Sequence, residues 1–162
     1  GHSWKSIISN RCKGIGCPKC KISKGEILIR DYLTNKKIPF EYNKKINYQH
    51  LDFYANFGGI EYNGIQHYVP VKFCKKADDI KSLTENMIRD SKKINYCKEN
   101  NIKLIIIPYW DKFRISEILQ NLISGNKLKF SNIPEEVLKF NDLRNSITKN
   151  FNLNPFVFYG AI

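Results

Sequence analysis

The stretch Ile60-Glu61-Tyr62-Asn63-Gly64-Ile65-Gln66-His67-Tyr68 carries two readings at once. Asn63-Gly64 between apolar residues is a strong hairpin signal, because both residues tolerate the positive φ of a tight primed turn. Glu61, however, stands inside an apolar strand. A carboxylate buried in a strand is costly unless it is paired, hydrogen-bonded or bound to a metal. The stretch is therefore either a surface hairpin with incidental polar groups or one wall of a reactive site. In the second reading Asn63-Gly64 turns the chain where the acid strand ends and brings Gln66 and His67 back beside Glu61.

Working outward, Phe40-Glu41-Tyr42 follows Pro39 as a first strand, Leu51-Asp52-Phe53-Tyr54 reads as a second and Gly59-Ile60-Glu61-Tyr62 as a third. Gly58-Gly59 is the expected turn between the last two. Upstream, Ser23 is the expected N-cap of a helix over residues 24–36, where Leu28 with Tyr32 and Ile29 with Leu33 share faces. Downstream, a polar connection leads to a helix over residues 83–100. Its buried stripe is Leu83, Met87, Ile94 and Cys97, with Arg89, Lys92, Lys93 and Lys98 largely off it. Ile102–Ile107 is a buried strand closed by Pro108, and helices follow near residues 115–124 and after Pro134. The order predicts an α/β fold: an αβββαβ core whose mixed central sheet joins an antiparallel meander to a parallel strand reached by a right-handed crossover, with helices on both faces.

The bulk composition agrees with a globular chain. It has 162 residues, 42% of them hydrophobic, enough for one well-buried core. The net charge of +12 favours a polyanionic partner such as nucleic acid, the plainer reading being a soluble basic surface. No apolar run is long enough to span a membrane. Five cysteines, two of them in a Cys-x-x-Cys, favour metal or free thiols in an intracellular, reducing compartment over a disulfide framework.

Three acids fall at ordered positions: Glu26 in the first turn of the first helix, Asp52 in the second strand and Glu61 in the third. Asp52 and Glu61 on neighbouring strands can converge at one sheet edge, where they repel unless a cation lies between them. Mg²⁺ or Mn²⁺ suits two carboxylates completed by water and phosphate oxygens, and it supplies an activated water for phosphodiester hydrolysis. Taken singly, each residue has a plainer role: Glu26 as a helix-dipole acid, Asp52 as a turn cap or the partner of a lysine, Glu61 as the exposed member of an alternating strand, His67 as a hydrogen-bonded structural histidine.

The ordered set Gly25-Glu26, Asp52-Phe53-Tyr54, Ile60-Glu61-Tyr62-Asn63-Gly64-Ile65-Gln66-His67, Arg89-Asp90, Lys93, Tyr96-Cys97 and Ile107-Pro108-Tyr109 resembles the PD-(D/E)XK nucleases of the restriction-endonuclease-like fold. It is most similar to the very-short-patch-repair-like endonuclease domains of bacteria, phages and large DNA viruses. The resemblance implies that Asp52 and Glu61 hold the catalytic metal, with Glu26 as an auxiliary ligand or water-orienting group. It implies that Gln66 stands near the position of the signature lysine and that His67 transfers a proton or contacts phosphate. Arg89, Lys92 and Lys93 then approach DNA phosphates from the helix. Asn63 departs from the pattern, which expects a lysine or an aspartate there.

Residues 1–22, rich in Gly, Lys and Cys, read as a separate small module. Gly1-His2-Ser3-Trp4, Arg11 and Gly16-Cys17-Pro18-Lys19-Cys20 resemble the second half of a zinc ribbon, with Cys17 and Cys20 as a Zn²⁺ half-site and His2 and Cys12 as non-standard completions. Residues 23–124 then form the nuclease-like core and residues 125–162 a helical extension and tail. The expected activity is Mg²⁺-dependent endonuclease cleavage, with double-stranded DNA favoured and homodimerisation left open. The alternatives are a weakened or inactive nuclease-fold module that binds DNA, and an RNA-directed nuclease.

Overall fold

The computed structural model describes residues 22–71 and 79–154. The expected zinc knuckle, with His2, Cys12, Cys17 and Cys20, lies outside these residues, as does Cys74. Helix α1 (Lys24–Asn35) begins at Ser23 with a capping box. The Ser23 Oγ accepts the Glu26 N–H and Glu26 Oε1 accepts the Ser23 N–H, each at 3.2 Å. Three strands follow: β1 (Phe40–Ile46), β2 (Gln49–Ala55) and β3 (Gly58–Asn63). A 3-10 turn at Ile65–His67 precedes the long helix α2 (Asp79–Glu99), which leads to β4 (Leu104–Pro108). A second 3-10 segment, Tyr109–Arg114, opens α3 (Ile115–Ile123), and α4 (Glu135–Leu138) and α5 (Asn141–Lys149) complete the described chain.

The sheet order is β1-β2-β3-β4, antiparallel at the first two interfaces and parallel at the last. This is the expected mixed sheet, and its faces carry different cores. On one face Ile29 and Leu33 of α1 and Ile118 and Leu119 of α3 cover Phe53, Ile60, Ile105 and Ile107. On the other, Ile94 and Cys97 of α2 cover Ile46, Leu51, Leu104 and Ile106. Each face of β4 therefore meets a helix, which is why its sequence is apolar without alternation. Helix α5 packs on α2 through Leu83, Met87 and Ile147.

Three sequence expectations change. Asn63-Gly64 does not make a hairpin: Asn63 ends β3 and Gly64 enters the 3-10 turn with φ −68°. Both edges of β3 are already paired, to β2 and to β4, so no returning strand has an edge to join. Gly58-Gly59 is not the β2–β3 turn but the start of β3. Gly58 has φ 126°, and a Cβ there would lie 2.4 Å from the Lys103 carbonyl oxygen, so this position requires glycine. Pro134 precedes α4 as its cap rather than occupying the first helical position.

Candidate active site

The β2–β3 ladder ends at the Phe53–Ile60 pair, one residue before Asp52 would face Glu61. Beyond it, side chains replace the ladder. The Asp52 N–H donates to Glu61 Oε1 at 3.0 Å, and the Tyr62 N–H donates to Asp52 Oδ2 at 2.8 Å. The strand also changes face here, since Leu51 and Phe53, two residues apart, join opposite cores. On the outer neighbour β1, Asn43 stands between the Tyr42–Phe53 and Lys44–Leu51 pairs with φ 55°. The irregular backbone thus lies at Asp52, and the two carboxylates satisfy the amides that the broken ladder releases.

Glu61 is buried on the sheet face that α2 covers, and Lys93 reaches it from that helix, with Nζ 2.7 Å from Glu61 Oε2. One ammonium serves two carboxylates, and the electrostatics reflect that shortage. Burial, then the charge of Asp52, pushes Glu61 up to about 8 against the pull of Lys93. Burial also pushes Asp52 up to about 6, opposed by the Tyr62 N–H and reinforced by Glu26. Lys93 is driven down by burial but raised overall by Glu61. Both carboxylates therefore hold their protons more tightly than free ones, and a further cation would compete with those protons.

His67 sits beside this cluster on the 3-10 turn. Its Nδ1 lies 2.7 Å from Asp90 Oδ2 on α2. An ionised carboxylate only accepts, so Nδ1 carries the hydrogen and Nε2 is left as the reactive nitrogen. Burial lowers the imidazole pKa, but Asp90 outweighs it and the net shift is upward. The turn is fixed on both sides. Asn86 Nδ2 donates to the Gln66 carbonyl at 3.0 Å, and the buried Arg144 of α5 lies over the Tyr68 ring and donates to its carbonyl at 3.4 Å.

The structure rearranges several expected roles. Lys93, expected on DNA phosphate, is drawn into the acid pair, because its position on α2 faces the buried Glu61. The Gln66 amide folds against Gly64, and the ammonium beside Glu61 is that of Lys93. Glu26 has both oxygens engaged, Oε1 in the helix cap and Oε2 by the Tyr42 hydroxyl at 3.1 Å, so it influences Asp52 through charge rather than contact. Among the described residues, no group of three His, Cys, Asp or Glu side chains converges as a metal cage. Asn63 is buried at the end of β3, while Arg89 and Lys92 remain exposed.

From sequence, Asp90 has a place only in the Arg89-Asp90 pair, with no role, and Tyr42 only a place in the first strand. Asp90 lies three residues before Lys93, a spacing that puts both on one helix face, and that spacing was the available signal. Tyr42 gave none. Burial and Glu61 push the Cys97 thiol up to about 11, which removes it as a nucleophile. No described helix is long and apolar enough to cross a membrane. Comparison with protein-family models, curated proteins and solved structures found no match.

Proposed function

We propose that the chain is a metal-dependent nuclease that hydrolyses phosphodiester bonds, with DNA as the favoured substrate. The observation that carries this reading is the Asp52–Glu61 pair at the broken ladder, with Lys93 bound to Glu61 and the His67–Asp90 pair beside them. The basic net charge of +12 supports a polyanionic substrate. The odd cysteine number fits an intracellular compartment. Zinc at Cys17 and Cys20 belongs to the same proposal.

The donor set fits a hard divalent cation. Asp52 and Glu61 are two mutually repelling carboxylates with raised proton affinity, and Asp52 Oδ1 has no hydrogen-bond partner among the described residues. These two residues would hold Mg²⁺ or Mn²⁺. When bound, such an ion polarises the phosphoryl group and acidifies a water molecule.

The remaining work belongs to the chain itself. Exposed Arg89 and Lys92 hold flanking phosphates and set the strand's path along α2. Lys93 offsets the charge that develops on the phosphoryl oxygens. Asp90 fixes the tautomer and orientation of His67, whose raised pKa favours donating a proton from Nε2 to the leaving oxygen. Buried, uncharged Asn63 supports a second reading, a nuclease fold that binds DNA without cutting it. Lys93 weighs against that reading by supplying the missing positive charge.

The test is incubation with supercoiled plasmid, single-stranded DNA and RNA in Mg²⁺, Mn²⁺ or EDTA. Cation-dependent cutting of DNA supports the proposal. Preferential cutting of RNA transfers it to RNA. Tight, salt-sensitive binding with no cutting in either metal supports the second reading.

A further inference from the structure

A groove of about 440 Å³ opens next to the candidate site, between the turn that carries His67 and the N-terminal half of α2. Its volume lies in the range of sites that enclose small organic groups. His67 lines the groove, so under the nuclease reading its occupant adjoins the reacting phosphate. Asp79 and Glu85 line it against a single Arg89, a balance that disfavours a second phosphate.

Two of the groove's polar side chains, Asp79 and Glu85, only accept when ionised, beside the donors of Gln66, Ser82 and Arg89. Asp79 Oδ1 is buried and takes no hydrogen bond among the described residues, so it can accept from an N–H donor. Asn86 spends its Nδ2 on the Gln66 carbonyl and retains its Oδ1. Val69 and Leu83 supply apolar wall. A flat group with apolar faces and amino hydrogens at its edge matches this lining, which describes a nucleobase with an exocyclic amine rather than thymine or uracil.

We propose that this groove receives one unstacked, amino-bearing base of the substrate strand, next to the scissile phosphodiester, and so biases where the chain cuts. The inference rests on the nuclease reading. Extruding a base costs stacking energy, which the buried acceptor at Asp79 and the apolar wall offset.

The experiment places 2-aminopurine, one position at a time, on either side of the mapped cut in a DNA duplex and follows its fluorescence on binding in Ca²⁺. The full chain should brighten the probe several-fold at one flanking position. It should also prefer an amino-bearing base there by roughly tenfold in cleavage. Asp79→Ala and Ser82→Trp, the latter filling the groove, should abolish both effects while still cutting a substrate that is abasic at that position. Cutting without brightening at any flanking position overturns the inference. So do brightening and preference that persist in both variants. If Ser82→Trp does not fold, as judged by its thermal melt, Asp79→Ala alone decides. Absence of cutting with every divalent ion overturns the nuclease reading instead, and the inference falls with it.

Discussion

The ring of Tyr62 lies across the backbone of Gly25, so closely that a Cβ on Gly25 would sit 2.2 Å from the ring Cζ. Helix α1 therefore approaches β3 more closely than any side chain at residue 25 allows. That approach brings Glu26 near Asp52, and the Tyr62 amide in turn holds Asp52. Gly25→Ala should destabilise the fold by about 1–3 kcal/mol through overpacking, outweighing the roughly 1 kcal/mol that alanine gains in a helix. Thermal melts check this, and Tyr62→Leu in the same chain should recover part of the loss. An unchanged melt would refute the close contact.

The acid pair predicts an unusual pH dependence. Asp52 and Glu61 are raised from ordinary values of 3.8 and 4.5 to about 6 and about 8, so between about pH 4 and pH 8 the folded chain binds more protons than the unfolded one. Stability then falls as pH rises through that window. His67 acts in the same direction, its contribution being complete below the unfolded value of 6.5 and lost as pH rises through its raised folded value. Melting temperature should decline steadily from pH 5 to pH 8. Asp52→Asn should flatten the slope, and Mn²⁺ should stabilise the wild type more at pH 8 than at pH 5. A melting temperature that rises toward pH 8 without metal contradicts the assignment.

Neighbouring lysines should separate chemistry from binding. Lys93→Gln, which keeps a hydrogen-bond donor toward Glu61, should lower the cleavage rate by about 10²–10³ with little change in affinity. Lys92→Ala should leave the rate largely intact, weaken binding and reduce its logarithmic salt slope by about 1. Single-turnover cleavage and salt-titrated binding distinguish the two. Equal effects from both variants would return Lys93 to the role of a phosphate contact.

Asp90 should act only through His67. Asp90→Asn can present its amide N–H to Nδ1, which favours the wrong tautomer and should lower the cleavage rate by roughly 10²–10⁴. The alkaline limb of the pH–rate profile should move to lower pH with it, because the raised His67 value depends on that carboxylate. A profile identical to that of the wild type would leave Asp90 a purely structural residue.

The skeleton was legible in the sequence because its signals are local. Ser23 and Glu26 announce the first helix by their spacing, and the apolar Leu104–Ile107 run announces a doubly covered strand. Asp52 and Glu61 were legible because acids inside apolar strands require a reason. The Lys93–Glu61 contact was not, since 32 positions separate the two residues and helix periodicity says only that Lys93 lies off the main stripe. Asn63-Gly64 misled for a physical reason. The same pair serves a hairpin or a 3-10 entry, and only the occupied edges of β3 decide between them. Tyr42 reaches Glu26 through the packing of a strand against a helix, which no short pattern records.

The central claim is that Asp52 and Glu61 make a metal-dependent phosphodiesterase centre. Its most direct test is the cutting of supercoiled plasmid by the wild type and by Asp52→Asn, side by side in Mn²⁺ and in EDTA. The wild type should convert plasmid to nicked or linear product in Mn²⁺ alone, and Asp52→Asn should do so in neither condition while still melting cooperatively. Cutting by Asp52→Asn at the wild-type rate, or by either protein in EDTA, would contradict the account.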